Sequence, residues 1–578
     1  MTALSHKPYL LTANFLLLLI FCTQPQSQSG NPSPQSPSQS SPGSQTVSGA
    51  QEQQGLGSDP IPVVRTTTRL VVVDVVALDE HNAPVNGLQA KDFTVLEENK
   101  PQQVRVFSFQ HPTSEVATAS RPKLPTNVFT NSPSYRVNSS FNVILLDTLN
   151  TRFEDMAYGH QELIRFLKKM PPDQPVAIYA LETNKVRLLQ DFTTDIDALI
   201  SASGKFKGQN SPLLSARADN GFGGRLGGQM NDTALLVEQD RQRFRADYTL
   251  GALSYIAGTL SGYPGRKNLI WISAAFPFDV NPNFQVAGVF DHQSRDAEIA
   301  KAADALINSQ VAIYPVDPRG LTAPEAFSAE NGNRNNSGPA LQEALSQESG
   351  VRFAEYGTMN EMAGRTGGRS FYNRNDIAVS IRQSIDDGST YYTLGYYPEN
   401  KKWDGKFRKI QVKVNRPGVK LHYRLGYYAL DPQLRRETDP KKQDLTFATA
   451  LNLELPVSTS VLFQASVRRG STQPQNRIPV DFMIDPRAVS LNQSADGSQH
   501  GTVRCGFRAY SDKGKPLGLR MSSAEYNLKP ETFRQLLQSG FPCQAPLDLP
   551  KGNYLLRLGV MDNRSGLIGT TNAKVTVQ

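Results

Sequence analysis

The residues best placed to do chemistry stand in one run, Asp147-Thr148-Leu149-Asn150-Thr151, directly after the apolar stretch Asn142-Val143-Ile144-Leu145-Leu146. A carboxylate, hydroxyls and a carboxamide thus come together at the carboxyl end of a buried strand, which is where open parallel sheets bind ligands. The same oxygens also suit a local purpose, capping the next helix and tying the strand end by accepting backbone N–H groups. Enzyme constellations are missing elsewhere. The chain has no H-E-x-x-H or G-x-S-x-G, and its seven histidines are scattered, with no two at ligand spacing. Asp291-His292 reads as a helix cap beside a surface histidine, and Asp386-Asp387 as solvated charge at a helix end. The segment Gly221-Phe222-Gly223-Gly224 with Gly227-Gly228 matches no phosphate loop and reads as a flexible loop. A carboxylate pair assembled by the fold from distant positions is the remaining route to a hydrolase. The balance favours a binding protein over an enzyme.

The elements around Asp147 are short, wholly apolar strands separated by helical segments, the signature of a parallel sheet covered on both faces. The strands are Asn142–Leu146, Pro175–Leu181, Val186–Asp191, Asn268–Ile272 and Val311–Val316, with a last short one at Arg369–Tyr372. Between them apolar residues recur at helical spacing, as in Leu163, Phe166 and Leu167, or Ala252, Leu253, Ile256, Ala257 and Leu260. A doubly wound, Rossmann-like α/β domain over 139–390 follows, interrupted by long polar insertions at about 203–232 and 318–352 that read as loops.

On either side the pattern turns to alternation. Residues 61–112 read as an Ig-like β-sandwich, 113–138 as a linker, 391–430 as a β-rich extension, 431–443 as a second linker and 444–578 as a C-terminal β-sandwich. The last contains a short helical stretch at about Pro530–Gln538 and two cysteines, Cys505 and Cys543. A disulfide between them fits an exported chain, and two unpaired buried thiols is the other reading.

Export is expected from the N-terminus. Lys7 and the apolar run from Leu10 to Phe21 fit a signal peptide over 1–23, with an uncleaved signal anchor as its rival. Phe21 is too bulky for Cys22 to complete a good lipoprotein box. Residues 24–60, rich in Gln, Ser and Pro, form a disordered tether. No later stretch reaches the roughly 20 apolar residues of a membrane helix. The net charge of +8 comes from 61 basic and 53 acidic residues spread along the chain, so no nucleic-acid partner is expected.

An apolar strand ending in Asp-x-Ser-x-Ser opens the metal-ion-dependent adhesion site of von Willebrand factor A-type (VWA) domains, and Asp147-Thr148-Leu149-Asn150-Thr151 resembles it. With Gly265–Ser273 and Leu188–Thr193, the chain is similar over about 65–430 to the VWA-related proteins expanded in acidobacteria. The resemblance implies that a carboxylate and hydroxyls hold Mg²⁺ or another divalent cation, leaving a position for an acidic group of a protein partner. It assigns Asp147, Thr151 and Thr249 as ligands, with Asn150 as an additional one. Leu149 replaces the middle hydroxyl, and no Asp-Gly follows the strand in Ile272-Ser273-Ala274-Ala275, Asp279 being displaced, so the implied site is degenerate. The function implied is an exported, non-enzymatic binding or adhesion protein. A metal-free scaffold of an envelope or secretion assembly is the alternative, followed by an exported hydrolase.

Overall fold

The computed structural model describes residues 70–111, 124–132, 140–171, 174–206, 211–214, 227–276, 296–321, 327, 338–429, 439–467, 477–550 and 552–577. The signal segment, the tether, Cys22, Gly221–Gly224, Asp279, Asp291-His292 and Asn331–Asn336 lie outside the described residues. Those described belong to one compact unit running from Thr67 to Gln578. Among them, no helix is long and apolar enough to cross a membrane.

The first strands are β1 (Val71–Leu78), β2 (Phe93–Glu97), β3 (Lys100–Gln102) and β4 (Val104–Gln110), followed by a three-residue β5 (Val128–Thr130). Nearly all of β1 is buried, so both of its edges need hydrogen-bonding partners. Its own hairpin neighbours do not supply them.

The α/β unit runs β6 (Phe141–Asp147), α1 (Phe153–Leu167), β7 (Val176–Glu182), β8 (Lys185–Thr193), α2 (Ile196–Gly204), α3 (Gly227–Leu260) and β9 (Lys267–Ile272). It continues with α4 (Asp296–Asn308), β10 (Val311–Val316), α5 (Gly338–Thr366) and α6 (Ile377–Ser389). The sheet order is β10-β9-β6-β7-β8. One face packs Leu145 and Trp271 against Leu253 and Ile256 of α3, Leu306 of α4 and Met359 of α5. The other packs Ile144 and Leu146 against Leu163 of α1, Leu199 of α2 and Ile381 of α6. The expected doubly wound arrangement is present, with two corrections. β8 is antiparallel to β7, because only Thr183 and Asn184 separate them and a parallel neighbour needs a crossover of about a dozen residues. Arg369–Tyr372 contributes a single bridge, Val316 to Phe371, in place of a strand. The polar insertions are also less loop-like than expected. Their later parts are the starts of α3 and α5, and the α5 start, Ala340-Leu341-Gln342-Glu343-Ala344-Leu345, is rich in good helix formers.

After α6 come β11 (Tyr391–Tyr396), β12 (Phe407–Val414), β13 (Lys420–His422) and β14 (Gly426–Tyr428). They supply what β1 lacks. β11 and β13 pair with β1, and β12 with β2, giving the sheets β13-β1-β11-β4 and β14-β12-β2-β3 around Val73, Val75, Phe93, Tyr392, Leu394 and Val412. The segments 61–112 and 391–430 are therefore joined into one module, where a sandwich and a separate extension were expected.

The last module contains α7 (Pro440–Ala450), β15 (Phe463–Val467), β16 (Arg477–Ile484), β17 (Asn492–Gln493), β18 (Gln499–Ser511), β19 (Pro516–Leu528), α8 (Pro530–Ser539), β20 (Phe541–Asp548), β21 (Gly552–Asp562) and β22 (Ile568–Val577). Its sheets are β20-β16-β15-β5 and β17-β18-β21-β22, with β19 on β18. A disulfide joins Cys505 of β18 to Cys543 of β20, linking the two sheets. β5 comes from the stretch expected to be a linker. It is held by the buried Asn131, whose Nδ2 donates to the carbonyls of Ser458 (3.0 Å) and Val461 (2.8 Å) while its Oδ1 accepts the Phe463 N–H (2.9 Å).

Both β modules grip the α/β unit near the end where its parallel strands begin. Ahead of β9, Arg266 donates its backbone N–H to Tyr391 Oη (3.1 Å), and its guanidinium to Tyr314 Oη (3.0 Å) and the Gly367 carbonyl (2.6 Å). Ahead of β10, the Gln310 side chain donates to Asp74 at 3.1 Å. After α3, Gly262 donates its N–H to Thr459 Oγ1 at 3.1 Å, and a Cβ there would stand 2.0 Å from the Thr459 carbonyl oxygen, so only glycine permits this docking. One contact lies at the other end of the sheet: at the turn after the carboxyl end of β7, Lys185 forms an exposed ion pair with Glu454.

Charges buried near these contacts are strongly perturbed. Asp387, expected to be solvated, is buried 3.1 Å from Arg369, and burial lifts its carboxyl to about 6. Lys267 is 1% exposed, and burial pushes its ammonium down to about 7 while Nζ donates to the Tyr263 carbonyl. A lysine with a depressed folded pKa contributes stability above its unfolded pKa and loses it as pH falls through about 7. Lys267→Met is therefore expected to raise unfolding free energy by roughly 3 kcal/mol at pH 6, with the gain vanishing above about pH 10. Urea titrations across that range would show a pH-independent gap if burial of the charge were not the cause.

Candidate functional site

β6 delivers Asp147 to the carboxyl end of the sheet, where its side chain is wholly buried. Oδ1 accepts the Asn150 backbone N–H at 3.0 Å. Oδ2 accepts three donors, each at 2.9 Å: Asn150 Nδ2, Trp271 Nε1 and Ser273 Oγ. Asn150 Nδ2 also donates to Thr249 Oγ1 at 2.9 Å, and the Thr249 hydroxyl donates to the Arg245 carbonyl at 2.7 Å. Thr151 stands beside this knot, its Oγ1 accepting the Ala274 N–H at 3.0 Å. Thr249, 99 residues beyond Asn150 in the chain, thus meets Asp147 and Asn150 in one hydrogen-bonded cluster, and Thr151 ties the loop after β6 to the loop after β9.

The capping alternative holds only in part. α1 starts at Phe153 with Arg152 as N-cap and no side-chain cap, so Asp147 and Thr151 tie the strand end without capping the helix. Trp271 and Ser273 went unforeseen. Their signal is register, since β9 runs parallel to β6 with Leu145 beside Trp271 and Leu146 beside Ile272. Burial raises the Asp147 carboxyl above the usual carboxylate range, and the hydrogen bonds from Asn150, Trp271 and Ser273 oppose that rise.

Tested against a divalent cation, the group does not fit. Mg²⁺ asks for about six oxygens in near-octahedral array. Here N–H and O–H donors face both carboxylate oxygens, and the Thr249 hydroxyl is engaged on both sides. Leu149, in the place of the middle hydroxyl, is buried in the core. Asn150 Oδ1 is buried without a hydrogen-bond partner, a single neutral oxygen. Among the described residues, no cluster of three or more His, Cys, Asp or Glu side chains is arranged to hold a metal.

A second polar cluster, not anticipated from sequence, stands at the carboxyl end of β10. Arg319 donates to both oxygens of Asp317 (2.9 and 3.1 Å from Nε) and reaches Glu355 Oε2 of α5 at 2.8 Å. Asp155 of α1 lies in the field of the same guanidinium; burial raises its carboxyl and Arg319 opposes the rise. The cluster locks the loop after β10 to α5. Gly320 follows at φ +69, where a Cβ would meet Asn375 Oδ1 at 2.6 Å.

No protein-family model matches the chain, and no curated protein does. Solved structures similar to it include a von Willebrand factor type A protein from Catenulispora acidiphila, at 11% identity over 61% of this chain and 81% of that one, with a TM-score of 0.23. The ArnB paralog VWA2 from Sulfolobus acidocaldarius is 8% identical over 88% of this chain and 76% of that one, with a TM-score of 0.18. The PilB minor pilin from Streptococcus sanguinis is 11% identical, with a TM-score of 0.23, over 44% of this chain and 62% of the pilin, less than two thirds of its length. Several similar structures are thus VWA domains, and at these scores none bears on function.

Proposed function

We propose that this is an exported, non-enzymatic protein of VWA type that recognises another protein with the carboxyl end of its α/β unit. The observation that carries the reading is polarity of attachment. The β modules hold the unit chiefly through Arg266, Gln310 and Gly262, next to the starts of its strands. At the opposite end, two helices overshoot the sheet. α3 extends about 33 Å ahead of Thr249, and α5 about 25 Å ahead of Glu355, at 1.5 Å per residue. Phe244 and Phe353 on these overhangs are each 59% exposed, and Tyr248, Phe153 and Leu321 are exposed at the same end. Exposed aromatic and large apolar side chains gathered in one region mark protein contact surfaces.

Two further observations support the proposal. Asp147 is wholly buried and accepts four hydrogen bonds, whereas a catalytic acid or base must reach its substrate. The Cys505–Cys543 disulfide suits an oxidising compartment, in line with the apolar run at Leu10–Phe21. A structural scaffold is the second reading, favoured by the interlocking of the three modules.

Photo-crosslinking decides between them. With p-benzoylphenylalanine at Phe244 or Phe353, the proposal expects a defined cross-linked partner in the producing cell. Substitution at Leu445 or Leu537, exposed on α7 and α8, should give none. Cross-links confined to Leu445 and Leu537 would refute recognition by the α/β end and leave the scaffold.

A further inference from the structure

The Asp147 cluster has the outline of a cation site filled by something else. Asn150 Nδ2 lies 2.9 Å from Asp147 Oδ2 and 2.9 Å from Thr249 Oγ1, so one amide nitrogen bridges the two side chains a cation would bridge. The hydrogens of such an amide sit about 1.9–2.0 Å from their acceptors, close to the distance of a Mg²⁺ ligand bond, and carry partial positive charge. Trp271 Nε1, Ser273 Oγ and the Asn150 backbone N–H complete the positive surroundings of the carboxylate. Oδ2 is crowded by three donors and Oδ1 accepts one, so a cation could reach the carboxylate only by displacing them. Asp147, Asn150 and Thr249 are buried, so an entering ion would have to shed its water and break these bonds together.

We propose that the Asn150 carboxamide takes the place of a divalent cation between Asp147 and Thr249, so that this end of the sheet is tied together without metal. The proposal rests on the geometry of these residues and is independent of protein recognition by the neighbouring surface. It makes Asn150 the residue that decides whether metal enters. Asn150→Asp keeps the shape but sets a carboxylate against Asp147, and the two oxygens then need a cation between them. Asn150→Ser removes the bridging donor without adding charge.

The test uses the full chain and metals alone. Thermal midpoints of wild type, Asn150→Asp and Asp147→Asn are measured in chelator and in Mg²⁺, Ca²⁺ or Mn²⁺ at about 10 mM, tenfold above the weakest dissociation constants of calcium modules. Wild type should shift by less than about 1 °C and give no saturable heat on Mn²⁺ titration. Asn150→Asp should fall by roughly 5 °C in chelator and recover with cation. A cation-dependent rise in wild type that Asp147→Asn abolishes would overturn the proposal. So would an Asn150→Asp midpoint that ignores cations. If that variant does not fold, Mn²⁺ titration of Asn150→Ser decides: saturable binding at millimolar metal upholds the proposal, and none overturns it.

Discussion

Asp147→Ala is expected to lower the unfolding free energy of the α/β unit by about 4 kcal/mol, among the larger effects a single substitution produces. The loss arises from what is left behind. Trp271 Nε1 and two N–H groups of Asn150 lose their acceptor, while Ser273 Oγ keeps the Ala275 carbonyl at 2.9 Å, and each buried donor left unsatisfied costs about 1–3 kcal/mol before relaxation. Relief from burying a carboxyl returns part of it. The pH dependence separates the two contributions. Because burial raises the folded pKa of Asp147, its contribution is fully present below the unfolded carboxylate range and is lost as pH rises through the raised value. The gap between wild type and variant should therefore be widest near pH 4 and narrower near pH 8. Trp271 reports it directly, since Trp403 is the only other tryptophan and can be replaced by phenylalanine. A difference under about 1 kcal/mol would show that the cluster is incidental to stability.

The second large effect belongs to the C-terminal module. Cys505→Ser with Cys543→Ser removes a cross-link closing 38 residues of chain, and the loop-closure relation gives a cost of about 4 kcal/mol. The bridge ties β18 to β20 and hence one sheet to the other, so its loss releases the two sheets in the unfolded chain. Reductant should reproduce the drop in wild type and leave the double variant unchanged. Equal midpoints for oxidised wild type and double variant would show that packing of Phe482, Phe507 and Leu558 suffices without the bridge.

How much of this was legible in the sequence depended on whether the signal was local. β6, β9 and β10 announced themselves because a strand covered on both faces is apolar throughout, as Val143-Ile144-Leu145-Leu146 is. Asp147 stood out as the first polar residue after such a strand. The direction of β8 was readable in principle from the two-residue turn before it, a cue outweighed by its apolar run. The partners of Asp147 were not readable, because Trp271 and Ser273 reach it through sheet register rather than chain proximity. Nor does residue type reveal that the Asn150 amide points its nitrogen, not its oxygen, at Asp147. Asp387 misled for a related reason: a carboxylate beside another reads as solvated, while Arg369, 18 residues away, draws it inside.

The division of the first β module has a consequence for how the chain comes into being. β1 to β4 leave the ribosome about 280 residues before β11, the strand that lies between β1 and β4. At bacterial-scale synthesis of roughly 5–20 residues per second, that interval is about 15–60 s. Throughout it, the apolar β1 has neither of its eventual neighbours, a template for pairing with other chains. Any factor that holds the nascent protein must act on Val71–Leu78 first and release it last, after the strands from Tyr391 onward have arrived.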